Sequence, residues 1–226
     1  AGKLLSEEVS MINMLKDNAE KPVSCIIGGS KISTKIGILT NLVKKIQTIV
    51  IVGAMANNFI KYKGYNIGKS IIEKNQEKLT EDVIQQCKKN SCKLILPQDV
   101  IVSKNLNSKG HLKNLDNISD SDLILDIGEK TVQNIIKVID ESKTVFWNGP
   151  MGVFEFDRFA AGTRSVATVM ANLNAVTIIG GGSTAEAVES LGLETEMAHV
   201  SSGGGAMLEF LEGKELPGIA ALPDRE

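Results

Sequence analysis

The sequence predicts an α/β fold: a mostly parallel sheet with helices on both faces, a Rossmann-like three-layer arrangement, preceded by an N-terminal helix. Three observations predict it. Short, largely apolar runs without clean alternation recur at residues 23–27, 48–52, 124–127, 144–147 and 176–179, the pattern of strands buried on both faces. Helical stretches alternate with them, as in βαβ units. Four glycine-centred segments also each follow an apolar run: Gly28-Gly29-Ser30-Lys31, Asn148-Gly149-Pro150, Gly180-Gly181-Gly182-Ser183-Thr184 and Ser201-Ser202-Gly203-Gly204-Gly205. Several strands thus end in backbone stripped of side chains. The carboxyl ends of strands form the ligand crevice of an open α/β sheet, and bare amides beside helix N-termini suit phosphate.

Taken in order, residues 2–18 read as an amphipathic helix with Leu4, Leu5, Val9, Ile12 and Leu15 on one stripe, and residues 6–8 as its capped start. Residues 23–27 read as a buried strand, 33–43 as a helix, and 48–52 as a second strand ending at Gly53. Residues 73–90 form a polar amphipathic helix with Leu79, Val83 and Ile84 inward. Short strands at 94–96 and 100–102 flank Pro97, and residues 105–121, rich in Asn, Ser, Asp, Lys and Gly, read as a surface excursion. Then follow a strand at 124–127, a helix at 131–141, a strand at 144–147, a helix at 158–172, a strand at 176–179, and helices at 184–190 and 206–212.

Composition excludes several classes. The 226 residues fit one large domain or a domain with an appendage, and 42% hydrophobic content supports a sizeable core. A net charge of −2 argues against a basic face for nucleic acid. Arg158, Arg164 and Arg225 are the only arginines, so a fork that clamps a phosphorylated acid is hard to build from this chain. Cys25, Cys87 and Cys92 follow no zinc spacing and read as reduced thiols of a cytoplasmic protein. No apolar leader or long apolar span is present, so neither secretion nor a membrane is expected.

Among the motifs, Lys31 and Lys35 are four residues apart at the expected opening of a helix, so both can point to one side. Two ammonium groups beside bare amides can neutralise a polyphosphate and its transferring group; the bland alternative is a solvated lysine pair. Gly203, Gly204 and Gly205 open the last helix and form a plausible anion cradle, or else a close-packed loop. Asn148 can hydrogen-bond a phosphate or sugar and Glu155 can accept from ribose hydroxyls, with a plain turn as the alternative. Gly180-x-Gly182-x-x-Ala185 formally fits the dinucleotide fingerprint, but no acid closes a following strand. The Gly64–Ser70 stretch resembles a P-loop with one residue too few, and reads better as a turn followed by a helix start. His111 and His199 have no visible partners and receive no role.

Together these segments resemble phosphoglycerate kinase, specifically its C-terminal, nucleotide-binding half. Gly28 through Ile36, Trp147 through Glu155, Thr177 through Thr184, His199 through Leu208 and the closing run Leu211 through Gly218 carry the resemblance over essentially the whole chain. It implies residues 1–18 as an interdomain-type helix and 19–226 as the nucleotide-binding domain, with the N-terminal phosphoglycerate-binding domain absent. It further implies phosphoryl transfer between 1,3-bisphosphoglycerate and ADP, with Mg2+ accompanying ADP or ATP, and a protein that is usually monomeric. By position, Lys31 and Lys35 meet the nucleotide phosphates and transferring group. Asn148, Gly181, Gly182, Ser183 and Thr184 meet the phosphates, with Gly29 and Gly53 at the same nucleotide site. Glu155 meets the ribose, and Gly203, Gly204 and Gly205 meet the transferring phosphoryl. The chain alone is expected to bind nucleotide and turn over little, taking phosphoglycerate only together with the missing half.

Three departures stand out. Ser183 replaces the family's usual Asp, a poorer partner for a hard cation. Magnesium is then expected on nucleotide oxygens and water, or on a displaced acid such as Glu186. Ala54 and Met55 reduce a glycine-rich wall for the adenine and are expected to crowd the base, and Glu129 stands where proline is common. The competing readings are a degenerate binding or interaction module without catalysis and a dinucleotide-binding oxidoreductase domain.

Overall fold

The computed structural model describes residues 3–201 and 203–214. The chain opens with α1 (Lys3–Asp17), β1 (Val23–Ile27), α2 (Ile36–Leu42), β2 (Thr48–Ile51), α3 (Ala56–Tyr62), α4 (Glu77–Lys89) and β3 (Lys93–Ile95). It continues with β4 (Asp99–Ser103), β5 (His111–Asn114), β6 (Leu123–Ile127), α5 (Glu129–Asp140), β7 (Thr144–Asn148), α6 (Ala161–Met170), β8 (Val176–Gly180), α7 (Gly182–Ser190), β9 (His199–Val200) and α8 (Gly205–Leu211).

Six strands form one sheet in the order β3-β2-β1-β7-β8-β9, and every neighbouring pair is parallel. The α/β architecture expected from the sequence is therefore present. Because helices cover both faces, the central strands β1 and β7 are buried at every residue, which is why their sequences are apolar without alternation. Side chains still alternate between two cores. Cys25 and Ile27 enter the one that also holds Leu39, Ile49, Phe59 and Met207. Ile26 enters the other, with Val50, Trp147, Ile135, Val166 and Val188.

A second, antiparallel sheet of order β5-β4-β6 stands beside the first and has its own small core of Val100, Val102, Leu115 and Ile118. The strands flanking Pro97 thus belong to different sheets: proline fixes its φ and offers no amide to a ladder, so the chain turns there. Asp99, buried at the start of β4, accepts the amides of Lys130 and Thr131 at 3.0 and 2.8 Å. It thereby caps α5 and ties the small sheet to a helix of the large one. Glu129, at the first position of α5, adds a favourable negative charge.

Several local expectations need correction. α1 begins at Lys3, so Ser6 lies inside the helix rather than at its cap. Leu15 is buried and Val9 half-buried, whereas the side chains of Leu4, Leu5 and Ile12 lie outside the described set. α2 begins only after Lys35, following a turn over Ser33 and Thr34. No helix follows the turn at Gly68; the next begins at Glu77. The expected surface excursion holds β5 and a 3-10 turn. Ser202 and the closing residues from Glu215 onward, including Leu216, Pro217 and Gly218, lie outside the described residues.

Candidate functional site

β1 and β7 run side by side with Ile27 opposite Asn148, so the two glycine turns leave the sheet together. Gly28 N–H donates to the Asn148 carbonyl at 2.7 Å. A Cβ on Gly28 would meet the Pro150 carbonyl oxygen at 2.4 Å, and one on Gly149, whose φ is +93°, would meet the Gly28 carbonyl carbon at 2.4 Å. Only glycine at both positions lets the two strand ends pack this closely. Gly53, at the end of β2, comes equally close: its Cβ would lie 2.7 Å from the Gly29 nitrogen. Three strand ends therefore converge on one spot.

Buried polar side chains brace it. Asn148 donates from Nδ2 to the Gly180 carbonyl at 2.7 Å, which leaves its Oδ1 to accept from Lys35 Nζ at 2.5 Å. Thr184, fully buried, accepts the Gly149 N–H at 2.6 Å through its hydroxyl. That hydroxyl, expected at the phosphates, is already engaged in joining α7 to the β7 turn. Burial lowers the pKa of Lys35, and the Glu212 carboxylate works in the opposite direction. Lys31 is exposed and lies in the turn before α2, so the two lysines do not share a helix face. Near it, Ser33 donates its amide to Glu73 at 3.0 Å and its hydroxyl to the same carboxylate. Those two hydrogen bonds, with a smaller contribution from the Lys31 charge, lower the Glu73 pKa.

A cleft of about 480 Å³ lies between the two sheets. Gly29, Gly53 and Ala54 line it from the turns after β1 and β2, Leu125 and Ile127 from β6, and Glu155 and Ser183 add polar groups to its wall. An apolar slot with a few convergent polar groups suits a flat heterocycle carrying a charged tail. The expected crowding is halved: Ala54 faces the cleft, but Met55 is fully buried in the main core beside α3. At the other border, α7 begins at Gly182 after Gly181, which has φ +91°. The first amides of a helix have no intrahelical acceptor and face the positive end of the dipole. Gly182 and Ser183 there are exposed and Glu186, one turn on, is also exposed.

Sequence reading missed one link. Glu8 of α1 accepts the Ser201 hydroxyl at 3.0 Å and lies 3.3 Å from His199 Nε2. Ser201 Oγ in turn accepts the Gly203 amide at 3.1 Å. The first helix thus holds the turn that leads through Gly204, at φ +48°, into α8 at Gly205. Residues so remote in sequence leave no local signal of this contact.

The donor set gives no protein cage for a cation. Among the described residues, no group of three or more His, Cys, Asp and Glu side chains could hold a metal. Ser183 offers one neutral oxygen in the wall of the cleft, which suits a divalent ion carried in on phosphate oxygens and water. Among the described residues no helix is long and apolar enough to cross a membrane.

Comparison with known proteins agrees with this geometry. The family model described as phosphoglycerate kinase matches residues 1–214. The phosphoglycerate kinase of Dictyoglomus turgidum is 42% identical over 228 residues, covering 100% of this chain and 58% of that protein. That of Pelotomaculum thermopropionicum is 43% identical over 227 residues, with coverage of 100% and 58%. The solved phosphoglycerate kinase of Coxiella burnetii superposes with a TM-score of 0.93 at 39% identity, covering 96% of this chain and 57% of that one. The Pyrococcus horikoshii structure gives 0.83 at 26% identity, covering 96% and 56%. The chain therefore spans somewhat over half the length of the relatives it matches, and it belongs to the phosphoglycerate kinase family.

Proposed function

We propose that this chain supplies the ADP/ATP site of a phosphoglycerate kinase. The reaction is reversible transfer of a phosphoryl group from the acyl phosphate of 1,3-bisphosphoglycerate to ADP, giving 3-phosphoglycerate and ATP, a step of glycolysis. The observation that carries this reading is the cleft between the sheets, largely apolar and lined by Gly29, Gly53, Ala54, Glu155 and Ser183 of α7, with the Lys35 side chain 3.7 Å from a Cβ built on Gly29 and hydrogen-bonded to Asn148. The adenine lies against Gly53 and Ala54, Glu155 accepts from the ribose, and Gly29, Gly181, Gly182 and Ser183 surround the phosphates, braced from behind by the buried Asn148 and Thr184 side chains. An oxygen of the ADP β-phosphate attacks phosphorus as the bond to the carboxylate oxygen breaks, and the carboxylate leaves with that electron pair. Lys31, Lys35 and the amides of Gly204 and Gly205 neutralise the transferring group, with Gly203 shaping the turn through its amide bond to Ser201 Oγ; such chemistry needs positioning and charge compensation rather than a covalent intermediate. Mg2+ would be held mainly by the nucleotide's own phosphate oxygens and water, with Ser183 as a weak protein contact, and would supply charge neutralisation there.

Residues 1–18 serve as the interdomain-type helix and 19–226 as the nucleotide-binding domain. The described arginines already have partners, Arg158 on the Asn107 carbonyl and Arg164 on Asp157. No arginine fork for a phosphorylated acid is thus formed among the described residues, and these 226 residues assayed alone bind nucleotide with little turnover. The three unpaired cysteines and the family's reaction support a reducing, cytoplasmic setting. Thermal stabilisation by ADP and ATP but not by NAD tests the reading. Equal stabilisation by NAD would favour the dinucleotide alternative, and no stabilisation by any of them would favour a module without catalysis.

A further inference from the structure

Cys87 and Cys92 lie away from the cleft, and the backbone brings them together. Cys92 N–H donates to the Cys87 carbonyl at 2.9 Å and Ser91 N–H to that of Lys88 at 3.2 Å, with Ser91 at φ 55°. This is the paired hydrogen-bond pattern that ends a helix with a left-handed residue, and it sets the residue after the turn against the last helical turn. The two side chains are close enough for each to shift the other's pKa. Cys92 lowers the Cys87 pKa, and Cys87 raises that of Cys92. Both residues are 5% exposed or less, yet both line a surface pocket of about 380 Å³ with Ile84 and Leu94. Lys63 and Lys88 stand at the same pocket and are exposed, so its rim is cationic. Cys25 has neither access nor this assistance: it is fully buried, and burial pushes its thiol up.

We infer that Cys87 and Cys92 form a dithiol modification site for small acidic disulfides, with Cys87 as the attacking sulfur and Cys92 as the resolving one. Cys87 loses its proton to solvent and its thiolate attacks one sulfur of the reagent. A mixed disulfide forms and the first reagent thiolate leaves with the electron pair of the broken S–S bond. Cys92, deprotonated in turn, attacks the Cys87 sulfur and expels the second reagent thiolate. Two protein thiols are oxidised to one disulfide, and one reagent disulfide is reduced to two thiols. The closing step is local, because a disulfide needs Cα atoms only about 4.4–6.8 Å apart and the turn already holds the pair side by side. The enclosed loop is short, so the bond constrains the unfolded chain less than a bridge across a long loop would.

The test is to treat the folded chain with a bis-nitrobenzoate disulfide, which is acidic, and with a neutral dipyridyl disulfide. The inference predicts release of two reagent thiols per chain, a product lighter than the starting protein by two hydrogens, and a peptide map that joins Cys87 to Cys92 with Cys25 free. Cys92→Ser should stop at a mixed disulfide on Cys87, and Cys87→Ser should react at least about tenfold more slowly. Lys63→Gln with Lys88→Gln should slow the acidic reagent several-fold but not the neutral one. Adducts that appear only after denaturant, that map to Cys25, or that persist on both cysteines of the unmodified chain would overturn it. The map of the unmodified chain decides the matter even where a cysteine variant fails to fold.

Discussion

Lys35 Nζ lies 2.5 Å from Oδ1 of Asn148, a residue only 2% exposed at the end of β7. The asparagine cannot turn away, because its amide nitrogen is held by the Gly180 carbonyl on the neighbouring strand. A half-buried ammonium is thereby fixed beside the turn proposed for the phosphates. Its placement costs stability, since burial lowers the Lys35 pKa by disfavouring the charged form.

Lys35→Met should therefore separate function from folding. Removing the charge relieves the burial penalty while leaving Asn148 Oδ1 without its Lys35 donor, so stability should stay within about 1 kcal/mol of the original. ADP affinity should fall at least about tenfold, as a charge-assisted contact to phosphate is lost. Chemical denaturation and titration of the same variant check both halves of the expectation.

The glycine turns give a contrast of two substitutions. Gly149→Ala puts a Cβ 2.4 Å from the Gly28 carbonyl carbon at a φ of +93°. The strain and the clash together should cost about 3 kcal/mol or more, roughly 10 °C in Tm. Gly182 has ordinary backbone and nothing within 4 Å of an added Cβ. Gly182→Ala should stay within about 0.5 kcal/mol in stability. Its Cβ would nonetheless narrow the turn proposed for the phosphates, and ADP binding should weaken about tenfold. Calorimetric melting with and without ADP distinguishes the two.

Asp126 makes stability depend on pH. Its carboxylate accepts the Gly162 amide at 2.8 Å and its neighbour Ile127 at 2.9 Å. Burial nevertheless outweighs those donors and pushes the carboxyl from 3.8 up to about 7. The folded state then holds a proton that the unfolded state releases, so this contribution is complete below the ordinary value of 3.8 and is lost as pH rises through about 7. Asp126→Asn should remove that slope. Relative to the variant, the original protein should lose on the order of 2–4 kcal/mol between about pH 4 and about pH 7. Urea titrations across this range measure it, and parallel curves would refute the assignment.

Much of the fold was legible because burial writes itself into composition. β1, β2, β7 and β8 are apolar on both faces and were placed within a residue or so. α3 was invisible: Asn57 and Asn58 are weak helix formers. Tertiary contacts override that preference, since their side-chain amides hold the Ile71 and Glu73 carbonyls. β5 was missed because its residues are polar and mostly exposed, and it survives only by pairing with β4. At the site, the glycine turns stood out as missing side chains. The Glu8–Ser201 bond, the Thr184–Gly149 bond and the pairing of Cys87 with Cys92 depend on where the chain folds back, and no residue type announces them.

Calorimetric titration with ADP, with and without magnesium, on this chain and on Ser183→Asp, tests the central claim most directly. The account predicts saturable binding by the chain as it stands. It predicts that Ser183→Asp strengthens binding only when magnesium is present, because the added carboxylate acts on a cation that the phosphates carry. Absence of heat and of saturation in all four titrations would contradict the nucleotide site itself. Equal strengthening without magnesium would contradict the place assigned to residue 183.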